Sequence, residues 1–186
     1  MRFFTALIAL ASAALALEDG AYLTHVHPNG TVISYDAVTG ALVETLTEGP
    51  LVDSYREAFA NKTREKTRRE LSKRFTSCWG TPLDRFNVDF AVGEFKAYIG
   101  SWGSGGYTLC AVPPANAYYS KIVGQVRIYY CINTNNWCGN IDLVDVNWAL
   151  LQMDTHCAPY TSSYFQWDGS PEIIGKALVT TAVCLG

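Results

Sequence analysis

All six cysteines of this 186-residue chain follow position 74, at 78, 110, 131, 138, 157 and 184. That placement constrains the fold more than any other feature. An even set in a short stretch behind a leader reads as three disulfides, and no Cys-x-x-Cys of the zinc kind occurs. Six cysteines allow 15 connectivities, so the spacing alone leaves the pairing open. A domain this small buries a modest share of its surface, and each bridge adds about 2–4 kcal/mol.

The start of the chain supports an oxidising destination. Residues 1–16 hold one charge, a short apolar run and Ala14-Leu15-Ala16 ahead of Glu18-Asp19, the pattern of a secretory signal peptide. The run falls short of the ~20 residues that span a bilayer, so no transmembrane segment is expected. Residues 17–74 contain no cysteine and no tryptophan, carry both Asn-x-Thr sequons (Asn29 and Asn61), and end in a charge run closing on Lys73-Arg74. Such a run is too polar to bury. A dibasic pair at a composition boundary is a convertase site, so 17–74 reads as a glycosylated pro-segment and 75–186 as the mature domain. The segment should fold a little, since 21–47 alternates around a turn signal at Val38-Thr39-Gly40. It could act as a chaperone or as a brake.

Within the mature part, residues 126–157 form a stapled unit. A β-branched and aromatic run ends at Cys131, and a polar loop carries Cys138. A helix is expected from about 140 to Cys157, with Leu143, Val146, Leu150 and Met153 on one face and Asn140 or Asp142 as its cap. Upstream, Thr81-Pro82-Leu83-Asp84 looks like a helix start capped by Thr81, followed by Val88, Val92, Phe95 and Ile99 on one face. Alternation at Phe86, Val88, Phe90 and Val92 keeps a strand as the rival. Gly93 inside that helix suggests close approach of another backbone.

A glycine-rich loop surrounds Trp102, and a short strand is expected at 107–112 before Pro113-Pro114. The longest strand is expected at 120–132, with Ile122, Val126, Ile128 and Tyr130 on one face and Val123, Gln125, Arg127, Tyr129 and Cys131 on the other. A hairpin of 161–167 and 173–184 about the Asp168–Pro171 turn closes the chain. Helix, two strands, helix, two strands gives an α+β sandwich, an antiparallel sheet with two helices packed on one face.

Cys78-Trp79-Gly80, the strand from Val126 to Tyr129, Asn135-Asn136-Trp137-Cys138, the helix ending in Cys157, and Gly175-Lys176-Ala177-Leu178-Val179 before Cys184 together resemble small cysteine-rich secreted proteins of filamentous fungi. More distantly they resemble the smut-fungus killer toxin of αβ-sandwich fold and the effector-like proteins grouped with it. The resemblance implies pairing of Cys78 with Cys157, Cys110 with Cys138, and Cys131 with Cys184. The toxin has more cysteines, and its activity is attributed to a basic loop residue with no matching position here. The resemblance therefore bears on fold rather than on calcium-channel blocking.

Catalytic patterns are thin. His156 is the one histidine after position 74, beside Cys157 at a helix C-terminus, where an imidazolium suits the helix dipole. No Gly-x-Ser-x-Gly elbow occurs, and Asp142 with Asp145 read as first-turn acids. Eight acids against five bases in 75–186 speak against a nucleic-acid partner. Neither a metal nor a cofactor is expected. Trp102 and Trp137, in polar loops, are the tryptophans expected at the surface as binding residues. The sequence thus points to a secreted, non-enzymatic effector or killer-toxin-like monomer acting on a host or competitor target, a membrane protein or wall component. A cell-wall carbohydrate-binding module and a small secreted hydrolase are the alternatives.

Overall fold

The computed structural model describes residues 17–65 and 75–185, with side chains at 17–57 and 75–185. The expected signal peptide, Lys73 and Arg74 lie outside the described residues. The elements are β1 (Gly20–Val26), β2 (Val32–Asp36), β3 (Leu42–Leu46), α1 (Pro50–Glu65), β4 (Phe75–Pro82), α2 (Arg85–Gly100), β5 (Tyr107–Ala111), β6 (Asn116–Val123), β7 (Val126–Ile132), β8 (Trp137–Ile141), α3 (Leu143–Cys157), β9 (Thr161–Gln166) and β10 (Glu172–Leu178). No described helix is long and apolar enough to cross a membrane.

Eight strands form one antiparallel sheet in the order β3-β2-β1-β6-β7-β10-β9-β4. The sheet crosses the boundary expected at Arg74. β1, β2 and β3 form one end of it, and β1 pairs with β6 from Gly20↔Ile122 to Val26↔Asn116. β4, which opens at Phe75, lies at the other edge. The first segment is thus not an appendage; it supplies three of the strands.

Strand alternation sorts the side chains onto two faces. Ala117, Tyr119, Val126, Ile128, Tyr130 and Ile174 pack with Val88, Ala91, Phe95 and Ile99 of α2 and Val146, Ala149, Leu150 and Met153 of α3. This is the sandwich expected, two helices on one face. The opposite face carries Tyr118, Tyr129, Cys131, Ile173 and Ala177, packed with Tyr55 of α1 and with Val183 and Cys184 of the C-terminal tail. A third helix therefore covers the second face.

Several local expectations are corrected. The stretch 120–132 is not one strand, because Gly124 adopts φ 55° and Val123 pairs with Val126, which makes β6 and β7 a two-residue hairpin. Ile122 and Val126 consequently lie on opposite faces. The last strand stops at Leu178, and 179–185 folds back as the tail. Residues 137–141, expected as loop up to the start of a helix near 140, form β8 against β5. The α2 cap is Asp84, whose carboxylate accepts from the Asn87 N–H at 2.9 Å, while Pro82 ends β4. Phe86 and Phe90 are exposed, so the helical pattern prevails over the alternating one. No atom lies within 4 Å of a Cβ built at Gly93, so no backbone approaches it. For α3 the cap is Asp142, which accepts from Val144 and Asp145 N–H groups while Asp145 accepts from the Asp142 N–H. Asn140 is engaged elsewhere, donating to Gly105 O and Thr108 Oγ1.

Disulfides join Cys78 to Cys157, Cys110 to Cys138 and Cys131 to Cys184, the pairing implied by the resemblance. They tie β4 to α3, β5 to β8, and β7 to the tail. None reaches the first segment.

Candidate functional site

Trp102 and Trp137 sit at opposite ends of the β5–β8 ribbon. The Trp102 ring stands 5.5 Å from Tyr107 and 6.2 Å from Tyr98, at the edge of an aromatic group that includes Tyr119. Trp137 pairs with Ala111 at the other end of β5. At about 3.3 Å per residue, the four steps from Tyr107 to Ala111 separate the two sites by about 13 Å. Each indole is about half exposed, 53% for Trp102 and 50% for Trp137. Trp137 adjoins an open depression lined by Cys110, Val112, Pro113, Asn136 and Cys138. Trp79 and Trp148, not singled out from the sequence, are exposed as well.

Residues expected to carry acid–base chemistry hold structural positions. His156 Nδ1 lies 2.7 Å from Gln152 O in its own helix. Asp142 and Asp145 form the capping box, and burial raises the Asp145 pKa against the lowering effect of its Asp142 N–H bond. A polar group not anticipated from the sequence joins Tyr130, whose hydroxyl donates to Glu172 Oε1 at 2.5 Å, and Ser170, which donates to Glu172 Oε2 at 2.7 Å. Both bonds clamp the start of β10 to β7 and to the preceding turn. Asn29 is exposed in the β1–β2 turn, and Asn61 falls in the part of α1 whose side chains are not described.

The least conventional chemistry lies on the sheet face opposite α2 and α3. Arg127, the second residue of β7, is 1% exposed, and its Nε and Nη1 meet no hydrogen-bond acceptor among the described residues. Each buried unpaired donor costs about 1–3 kcal/mol. The guanidinium stacks over Tyr118 at 5.3 Å, a contact that returns up to about 2 kcal/mol when desolvated. Glu44 of β3 is the carboxylate that feels its charge; burial raises the Glu44 pKa and the Arg127 charge opposes the rise. Tyr118, Tyr129 and Ser120 are buried on the same face, and opposite Tyr118 the hydroxyls of Thr24 and Ser34 in the first segment lie 3.1 Å apart. Tyrosine and arginine among small polar groups is the composition of a recognition surface rather than of a domain core. The sequence hid it, because Arg127 sits within an otherwise apolar strand.

The first segment covers this face together with the C-terminal tail. Tyr55 is fully buried, and its hydroxyl accepts from the Val183 N–H at 3.1 Å. Asp19 accepts from the Gly124 N–H at 2.7 Å. Arg56 ties α1 to the strands ahead of it, donating from Nε to Asn29 O and from Nη2 to Thr47 O. Burial, then the charge of His27, lowers the pKa of His25, which lies on the other face of β1 and lines a pocket of 330 Å³ with Leu23, Tyr35, Asp36 and Tyr107.

Comparison with protein-family models, curated proteins and solved structures finds no match to this chain.

Proposed function

We propose that this is a secreted, non-enzymatic protein of the effector or killer-toxin-like kind, made as a precursor that is cut after Arg74 and acts on a target outside the producing cell. One observation carries the reading. All three disulfides close within the part after position 74, while the first segment is joined to it without a covalent bond between side chains. A disulfide-tied domain with a separable cover suits a precursor activated in an oxidising compartment. The test is to apply the purified, cut protein to plant tissue and to competing fungi. Growth arrest or tissue damage from the cut form, absent from the uncut form, is the expected outcome; no effect from either form removes the reading.

The exposure of Trp102 and Trp137 supports a second reading, a wall-directed carbohydrate-binding module, since open indoles stack on sugar rings. Retention on chitin or glucan that is lost in Trp102→Ala with Trp137→Ala is the result it requires. Retention surviving both substitutions rejects it.

A further inference from the structure

β6 is paired on both sides, by β7 and by β1. Without the first segment it would be an edge of seven residue pairs, with unpaired N–H and C=O groups along it. The same removal would take Tyr55 from the buried group that holds Tyr118 and Tyr129, and Glu44 from the field of Arg127. Among the described residues the Arg127 guanidinium has a ring to stack on but no carboxylate bonded to it. On the other face the buried Lys176 donates to both Asp154 Oδ1 and Pro159 O, so the fold does partner a buried cation where partnering is structural. A guanidinium left with free donors in a tyrosine-lined face is suited to a carboxylate supplied from outside. An exposed strand edge beside it accepts an extended chain by adding a strand. β1 already shows that mode, with Tyr22, Thr24 and Val26 opposite Ser120, Tyr118 and Asn116.

We propose that the surface beneath residues 17–57, the β6 edge with Tyr118, Arg127 and Tyr129, is the target-binding surface, and that its ligand is an extended peptide strand of a protein partner that places a carboxylate against Arg127. The first segment is the built-in occupant of that surface. It holds the place while the chain is intact, because a tethered strand competes at high effective concentration. Cutting the chain after Arg74 removes the tether and makes the occupant exchangeable. This rests on the precursor reading above only for when the surface opens, not for what it binds.

The experiment uses the folded full chain, intact or cut in vitro by a dibasic endoprotease. The probe is a fluorescein-labelled synthetic peptide of residues 19–36, alongside a second peptide carrying Thr24→Glu, the position opposite Tyr118. Peptide anisotropy should saturate on the cut protein, with the first segment released as a separate species in native mass spectrometry. Affinity for the intact chain should be at least tenfold weaker. The Thr24→Glu peptide should bind the cut protein at least tenfold more tightly than its parent. That preference should vanish in Arg127→Met and persist in Arg127→Lys, which retains a cation. Intact Arg127→Met should melt no lower than the natural chain, since the stacking lost on Tyr118 is offset by removing a buried charge with two unpaired donors. Equal binding to cut and intact chains, no binding to the cut protein, or an acid preference that survives Arg127→Met would each overturn the proposal. A lower melting temperature in Arg127→Met would make Arg127 a structural residue and overturn it too. If the natural secreted protein proves uncut while the protein cut in vitro takes the peptide, the precursor reading fails and the surface stands.

Discussion

The two faces of the sheet treat a buried cation differently. Lys176 and Arg127 are each 1% exposed, on neighbouring strands. On the helix side, Lys176 reaches a carboxylate and a carbonyl of α3 and the turn after it. On the cover side, Arg127 keeps two donors without acceptors among the described residues. The helix side is built mainly from apolar residues such as Phe95, Ile99, Ile128, Ile174 and Met153, with Tyr119 and Tyr130 among them. The cover side mixes tyrosine, serine, asparagine and threonine. The difference teaches that one sheet serves two purposes: a permanent core on one side and an interface within the chain on the other.

Substitutions in each face sharpen that contrast. The largest effect belongs to Phe95→Ala, which opens a cavity between α2 and β6 and should cost about 3–5 kcal/mol in urea unfolding. It should unfold the whole domain, whereas damage to the cover should not. Asp154→Ala strips the carboxylate from Lys176. Loss of one partner of a fully buried pair costs about 3–5 kcal/mol; because Asp154 is 42% exposed, a smaller loss of about 2 kcal/mol is expected. A loss near zero would erase the contrast with Arg127. Tyr55→Phe removes the acceptor of the Val183 N–H and should cost about 1 kcal/mol, read as faster proteolysis of residues 17–57 with the helices intact.

The smallest effect is one of pH. The folded chain holds the His25 pKa below 6.5, so its contribution is complete above that value and declines as pH falls below it. His25→Gln should flatten the acid side of a melting-temperature profile between pH 7.5 and 5 without changing the neutral plateau. An unaltered profile would show that protonation of His25 does not loosen the first segment.

Much of this architecture is legible from residue patterns, and its failures have physical causes. The α3 amphipathic repeat and its Asp142 cap are local signals, and Val146, Leu150 and Met153 do face the core. Leu143 is half exposed, because it lies at the first turn where the helix meets Gly100 rather than the sheet. The hairpin at Gly124 was hidden by apolar residues on both sides of a two-residue loop. β8 carries Gly139 and Asn140, poor strand formers taken individually, and Cys138 bridged to Cys110 across the ribbon ties it to β5. The integration of the first segment was hidden most completely. Its lack of cysteine and its terminal charge run set it apart in composition, while its role is set by nonlocal pairing of β1 with β6. Among the candidate site residues, the exposure of Trp102 follows from its glycine-rich loop, whereas Trp137 is exposed at the start of a strand rather than in the loop expected. The Arg127 face has no sequence signature, because a buried arginine in a strand is defined by what lies over it.

Native-state hydrogen exchange on the uncut chain tests the central claim most directly. If residues 17–57 are a cover rather than part of the core, the amides of β1 should exchange through an opening of lower free energy than those of β7 and β10. Cutting after Arg74 should lower the protection of β1 further and leave α2, α3, β7 and β10 unchanged. A single opening that exposes β1, β7 and β10 together, before and after the cut, would contradict the account and make the eight strands one inseparable unit.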